Sequence, residues 1–553
     1  MNWSGYRIVA VVLLFSNGLL LGQQDAHVGC AVPPSYVPAE LLERTVKLRS
    51  GIGNSHEIIT TQSREAQAYY NQGLNYLESY VWIEAARSFY EALRHDPNLA
   101  MAYIGLSRVY SGLDNSAAAK RFFEKAKALA SKVSDRERRR IEIREKQLEA
   151  MQNLEDAAKQ QAYKATIDTA LVADLDDPQL WLLRGNAEEP NASGRGQRGT
   201  ASSVAFYEQV LRIMPDHASA HHFLVHTYEN IGQIDKALEH GEAYARLVPS
   251  IPHAVHMWAH NLRRVGRIDE AIEQFRKADQ LERTYYEKEK IDPQLDWHHG
   301  HNLDLLAACY QQKGQIKLAE KTMREAWALS AMEAYRAFSL RELPNFLIHR
   351  GRYEDALEAS RDLAKSKFIQ ARVAGHALAG QALIGLGRID EAGKALETAQ
   401  RDLEQVPRVT TGIDPNRAIV EPWVQALRGE LLLRTGNAKE GKEILRGLLR
   451  GLRTAPGADA WAQGLFRLEV IARTARETGN WDLAEFTAQE MIAHDAAYGG
   501  SHLALALVRG HKGNAEGMAE SLISARQYWR DADTDLPELK VIEEELAATQ
   551  VRN

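Results

Sequence analysis

Gly232-Gln233-Ile234-Asp235-Lys236-Ala237 returns 34 residues later as Gly266-Arg267-Ile268-Asp269-Glu270-Ala271. Each copy follows an apolar stretch of helical spacing, and each of its parts has a local physical role. Glycine ends one helix in the left-handed conformation, the acid opens the next helix, and alanine lets two helices approach closely. The signature recurs, with small changes, at Gly314 to Ala319, Gly351 to Ala356, Gly387 to Ala392 and Gly479 to Ala484. An array of helical hairpins is expected, because 553 residues can bury their apolar surface in this way without one oversized core.

Counting outward from the alanines recovers Tyr69, Gly73, Tyr76, Ala85, Phe89 and Pro97 in one unit, then Tyr103, Leu106, Tyr110, Ala119 and Phe123 in the next. Ala85 and Ala119 are again 34 apart. This pattern resembles the tetratricopeptide-repeat (TPR) family. The resemblance implies an all-α fold, a right-handed superhelical solenoid of antiparallel helix pairs with a concave inner wall. The wording around Ala220 to His226, Pro252 to Met257 and Asp296 to Asn302 is similar to exported bacterial TPR proteins of unassigned activity, and so implies no reaction.

Outside the repeats the chain divides by composition. Residues 1–26 read as a signal peptide, since Ile8 to Leu21 is mostly apolar yet short for a membrane span. The protein is therefore expected to be exported, periplasmic or extracellular, with a membrane anchor or a lipid on Cys30 as the alternatives. Residues 27–63 form a lead-in, 64–133 TPR-like repeats, and 134–215 irregular hairpins with a Gly-rich loop at 186–200. Residues 216–330 are histidine-rich repeats, 331–521 further repeats, and 522–553 a polar capping helix. The spacings from Ala271 to Ala319 and from Ala392 to Gly441 place insertions near 283–297 and 404–417. The charged run Asp135 to Arg140 reads as a solvated helix face. The Gly-rich loop lacks the Gly-Lys-Ser/Thr ending of a phosphate-binding loop, and is read as a crossover.

With 45% hydrophobic and 26% charged residues the composition is that of an ordinary soluble protein, and a formal net charge of -6 speaks against nucleic acid as a partner. Only Cys30 and Cys309 are available for cross-linking, so helix packing must hold the chain together. Cys309 falls in a helix core slot, and no Gly-x-Ser-x-Gly elbow points to a nucleophilic triad.

Eleven of the nineteen histidines lie between His217 and His301. His222 and His226 are four apart, as are His256 and His260, which puts each pair on one helical face. Repeat register relates the pairs. His222 and His256 each lie 15 residues before their alanine, His226 and His260 each 11, and His253 and His301 each 18. In the TPR family these phases line the concave groove, so the imidazoles should converge there. Glu229 continues the face of His222 and His226, Asp304 has the phase of His222 and His256, and His298 enters from the insertion just upstream.

Imidazole with carboxylate is the donor set of zinc, copper or iron. His222, His226, His253, His256, His260, His298, His301, Glu229 and Asp304 are therefore the candidate metal ligands. Hydrogen bonding to a ligand without metal, or a pH-responsive patch, would use the same residues. His217, His221 and His240 are read as outside the ligand set, His221 occupying the slot of a packing aromatic. The expected function is an extracytoplasmic scaffold that binds a peptide, protein or small ligand in its groove, with a histidine-rich metal site. The alternative is a metal-dependent hydrolase or oxidoreductase with Glu229 or Asp304 as acid/base.

Overall fold

The computed structural model of the chain describes residues 37–189, 196–329, 331, 334–406, 415–454 and 458–552. The expected signal peptide, Cys30, the beginning of the lead-in, residues 190–195 of the Gly-rich loop and most of the second insertion lie outside them. Every regular element among the described residues is a helix. None of these helices is long and apolar enough to cross a membrane.

The helices pair as the turn signature predicts: Arg64–Glu78 with Trp82–His95, Ala100–Gly112 with Ser116–Ala128, Ala218–Asn230 with Ile234–Leu247, and Pro252–Arg264 with Ile268–Glu289. Further hairpins follow, among them Trp297–Gln312 with Ile316–Ala328 and Ile369–Gly385 with Ile389–Gln405. At Gly232 the backbone is left-handed, with φ 76°. Its amide donates to Glu229 O at 3.1 Å and that of Gln233 to Tyr228 O at 2.8 Å, which satisfies carbonyls left open by the helix end. Ala85, Ala119, Ala237, Ala271, Ala319, Ala356, Ala392 and Ala484 have no exposed surface, as helix crossings at these points require.

Among the described residues, two hairpins put another residue in the left-handed position that glycine fills elsewhere. Tyr80 and Asp114, five residues before Ala85 and Ala119, take φ 59° and 54°. A non-glycine residue held there costs about 1–2 kcal/mol. Asparagine and aspartate tolerate this region and tyrosine does not, so Tyr80 is the one that calls for a reason.

The expected insertion near 283–297 is a lengthened second helix, Ile268–Glu289, followed by Lys290 in the left-handed region and a short 3-10 turn, Pro293–Leu295. The charged run at Asp135 is not simply a solvated face. Ser134 and Glu137 form a capping box, and Arg140 is buried between Glu57, at 2.9 Å, and Asp177, at 2.7 Å. A guanidinium with two carboxylates is tolerable in that interior, whereas an unpaired one is not.

The lead-in is ordered by the solenoid. Asn75, on the first helix of the first hairpin, accepts from Ser55 N at 2.9 Å and donates to Ser55 O at 3.1 Å. Gln72 does the same for Arg49 N and Lys47 O. Farther along, Thr60 reaches Glu137, Gly51 O accepts from Ser250 N, and Asn54 donates to Asp216 O. Residues 47–60 thus run as a strap across the hairpins, joined to their first helices and to the connections before them by backbone bonds of the kind a peptide guest would make.

The far end also folds back. Trp529 Nε1 donates to Gln312 O at 3.1 Å, Asp533 N donates to Gly314 O, and Arg350 pairs with Glu538. The expected single capping helix at 522–553 is in fact the end of Ala515–Tyr528, a turn docked on the 312–317 corner, and a final helix, Pro537–Arg552.

Candidate metal centre

The Ala218–Asn230 helix carries His222 and His226 one turn apart on its buried side, and Pro252 opens the next first-helix so that His253 sits in its first turn. His222 Nε2 lies 3.1 Å from His226 Nε2 and 3.0 Å from His253 Nε2. One repeat later His256 Nε2 lies 2.8 Å from His260 Nε2, and His301 completes this second set. Within each set of three, one ligand atom per histidine lies within 4.8 Å of the others.

These spacings suit a shared cation. Imidazole nitrogens bind zinc at about 2.0–2.1 Å, so two nitrogens on one ion at tetrahedral or smaller angles lie roughly 3–3.4 Å apart. The tautomers can be worked out from the partners. Glu78 O can only accept, so His222 Nδ1, at 2.7 Å, donates to it and Nε2 keeps a lone pair. Asn302 Nδ2 donates to Phe275 O at 3.1 Å, which turns Asn302 Oδ1 toward His256 Nδ1 at 2.8 Å. His256 Nε2 therefore also keeps a lone pair. Nδ1 anchored by an acceptor, with Nε2 free to ligate, is the arrangement of metal-binding histidines.

All six rings are buried, at most 5% exposed. Burial, with repulsion from neighbouring imidazoles, holds His222, His253, His256 and His260 well below the ordinary histidine value. Burial alone brings His226 down to about 3. These five rings are thus neutral near pH 7, the form that binds metal.

His298 lies between the sets, its ring centroid 5.1 Å from that of His253 and 4.6 Å from that of His256. Its Nδ1 bonds Glu282, and burial holds its pKa down at about 4. Glu282, in turn, forms a third group with Asp279 and His299. The remaining two candidates fall outside these sets. Asp304 accepts from Arg336 at 2.7 Å, and Glu229 carries its charge toward Arg264. His221 pairs with His240 at 2.9 Å, away from the centre, and Cys309 is a buried thiol whose pKa is pushed up to about 11 by burial.

The histidines do not line an open groove, as their phases implied. The corner of the first hairpin covers them: the Tyr80 ring packs 4.5 Å from His222 and 5.3 Å from His253, centroid to centroid. This explains the left-handed tyrosine, whose backbone strain is offset by placing a ring over the centre. Tyr244 also stacks on His222, at 4.7 Å and 12°. On another buried face of the Ala218–Asn230 helix, Gly199 lies so close to Thr227 that a Cβ would fall 1.8 Å from its Oγ1. The described end of the Gly-rich loop therefore packs as a wedge behind His226.

Sequence reasoning missed Tyr80, Asn302 and Glu282. Tyr80 left a signal, tyrosine in a slot that glycine fills elsewhere. Asn302 and Glu282 left none, because their partners come from other helices.

A cavity of about 430 Å³ opens beside the centre, with His253 and His298 in its wall.

The tetratricopeptide-repeat family model matches residues 100–132, the hairpin of Ala100–Gly112 with Ser116–Ala128. No curated protein matches the chain. Among solved structures, the human IFIT1 dimer with PPP-AAAA is 13% identical, with a TM-score of 0.33 over 84% of this chain and 91% of that one. The APC/C hetero-tetramer Cut9-Hcn1 is 12% identical, with a TM-score of 0.30 over 88% and 96%. At these values neither likeness speaks to function.

Proposed function

We propose that this chain, an all-helical solenoid containing a tetratricopeptide repeat, is an extracytoplasmic binding protein that holds two transition-metal ions in its interior, one in each three-histidine set. His222, His226 and His253 would hold the first ion, and His256, His260 and His301 the second. Three neutral imidazoles suit zinc, copper or iron, and leave a coordination position open to a ligand. The export reading rests on the apolar run Ile8 to Leu21.

One observation carries the metal reading: the same three phases of the repeat build the same three-nitrogen set twice in succession. Packing alone has no need of this. A buried imidazole facing two others at about 3 Å gives one lone pair two competing donors, whereas a cation satisfies all three nitrogens at once. The strap of residues 47–60 supports a small ligand rather than an extended peptide at this end, since it takes the hydrogen bonds such a peptide would use.

Elemental analysis of the purified chain tests the proposal. Close to two equivalents of metal per chain are expected, and a His222→Ala/His256→Ala double variant should carry none; equal metal in both proteins ends it. A second reading, metal-dependent catalysis, is favoured by the opening of the centre onto a cavity through His253 and His298. Asp304 is already held by Arg336, so a base for such chemistry is better sought among groups facing the cavity.

A further inference from the structure

The cavity at the centre is enclosed by the strap on one side, the corner of the first hairpin on another, and the Ile268–Glu289 helix on a third. Its walls are rich in rings, with Tyr76, Tyr80, Tyr285 and Trp297 all contributing. It also holds polar atoms with nothing to bond. His298 Nε2 and His253 Nδ1 are buried without a hydrogen-bond partner at the metal end. Across the cavity Glu84 is 1% exposed; one of its oxygens is taken by Arg87 and Tyr285, and Oε2 has no partner. A buried carboxylate oxygen left unmatched costs about 1–3 kcal/mol or more, and is expected where a guest supplies the donor.

From this juxtaposition we infer that the cavity is a binding site for a small aromatic molecule with two polar ends, an oxygen donor that reaches the metal past His253 and His298, and a hydroxyl or ammonium that donates to Glu84. The ring lies among the tyrosines and Trp297, where stacked and edge-on contacts hold it and where an ammonium also gains from the ring faces. The volume is that of an ordinary small-molecule pocket. This assignment rests on the metal reading, because the first of the two anchors is the ion.

Dopamine, catechol and phenethylamine separate the anchors. Dopamine carries both ends, catechol lacks the ammonium, and phenethylamine lacks the oxygens. Titrated calorimetrically into the zinc-loaded full-length chain, dopamine should bind at least about tenfold more tightly than either fragment, a difference that two independent anchors readily supply. Glu84→Gln should erase its advantage over catechol, and removal of zinc its advantage over phenethylamine. Leu48→Trp, at a half-exposed position of the cavity wall, should weaken all three probes while leaving the zinc content at the wild-type level. Equal binding of the three probes, no binding of any, or an unchanged ranking in Glu84→Gln overturns the inference while a chain that still carries zinc upholds the metal centre. A wild-type chain that takes up no zinc, copper or iron brings down both.

Discussion

His253 Nε2, in the first turn of one hairpin, lies 3.0 Å from His222 Nε2 in the hairpin before it, so neither repeat owns a complete ligand set. His301 stands in the same relation to His256 and His260. Each ion would therefore clamp two neighbouring hairpins. His253→Ala should lower the metal content from about two equivalents to about one without touching the second set, as should His301→Ala for the other ion. Elemental analysis reads this directly. If either single variant loses both ions, the sets are not separate sites.

Asn302 touches no proposed ion, yet it orients His256 through Nδ1. Asn302→Leu should weaken the second site by about 10–100-fold and leave the first alone, the usual effect of removing an outer-shell partner. Competition with a chromophoric chelator gives the two affinities. A uniform loss at both sites would instead mean general damage to the fold.

Glu430 supplies the pH dependence. It is fully buried beside Gln381 and Thr474, and burial pushes its pKa up to about 7. The folded state therefore retains a proton that the unfolded chain gives up near pH 4.5. Stability is unaffected by this group below pH 4.5, falls as pH rises from there toward 7, and stays lower above it. The full cost is roughly 3 kcal/mol at most. Glu430→Gln should raise the urea midpoint at pH 8 and change little at pH 4.5. Equal effects at both pH values would refute the assignment.

Gly199 and Thr227 should behave as a coupled pair. A methyl group at Gly199 meets Thr227 Oγ1 in a buried contact, so Gly199→Ala should destabilise the chain by about 1–3 kcal/mol. In Thr227→Ala the space is free, and adding Gly199→Ala to it should cost much less. The double-mutant cycle should show coupling of about 1 kcal/mol or more, and additivity would disprove the wedge.

The hairpins were legible because their corners are built locally: glycine at Gly232 or Gly266, an acid and an alanine within six residues do one job whatever surrounds them. The two histidine sets were legible for a related reason, since His222, His226 and His253 repeat in register as His256, His260 and His301. Their burial was not. It depends on Tyr80, more than 140 residues away in sequence, and on a strap whose contacts are tertiary. Asp304 had the correct phase and a different fate, because Arg336, on the short Ala334–Ser339 helix, takes its carboxylate. Arg140 misled in the same way: its charge suggested water, and Glu57 and Asp177 supplied an interior instead.

Arg49 and Arg87 both end on Glu289, 240 and 202 residues farther along. A growing chain must therefore wait until residue 289 has been made before its first segment can settle over the histidines. Until then the first set, complete at His253, stands open, and a divalent ion nearby can exchange freely with it. The compartment in which the strap finally closes, rather than the intrinsic preference of three imidazoles, would then decide which element the mature protein keeps.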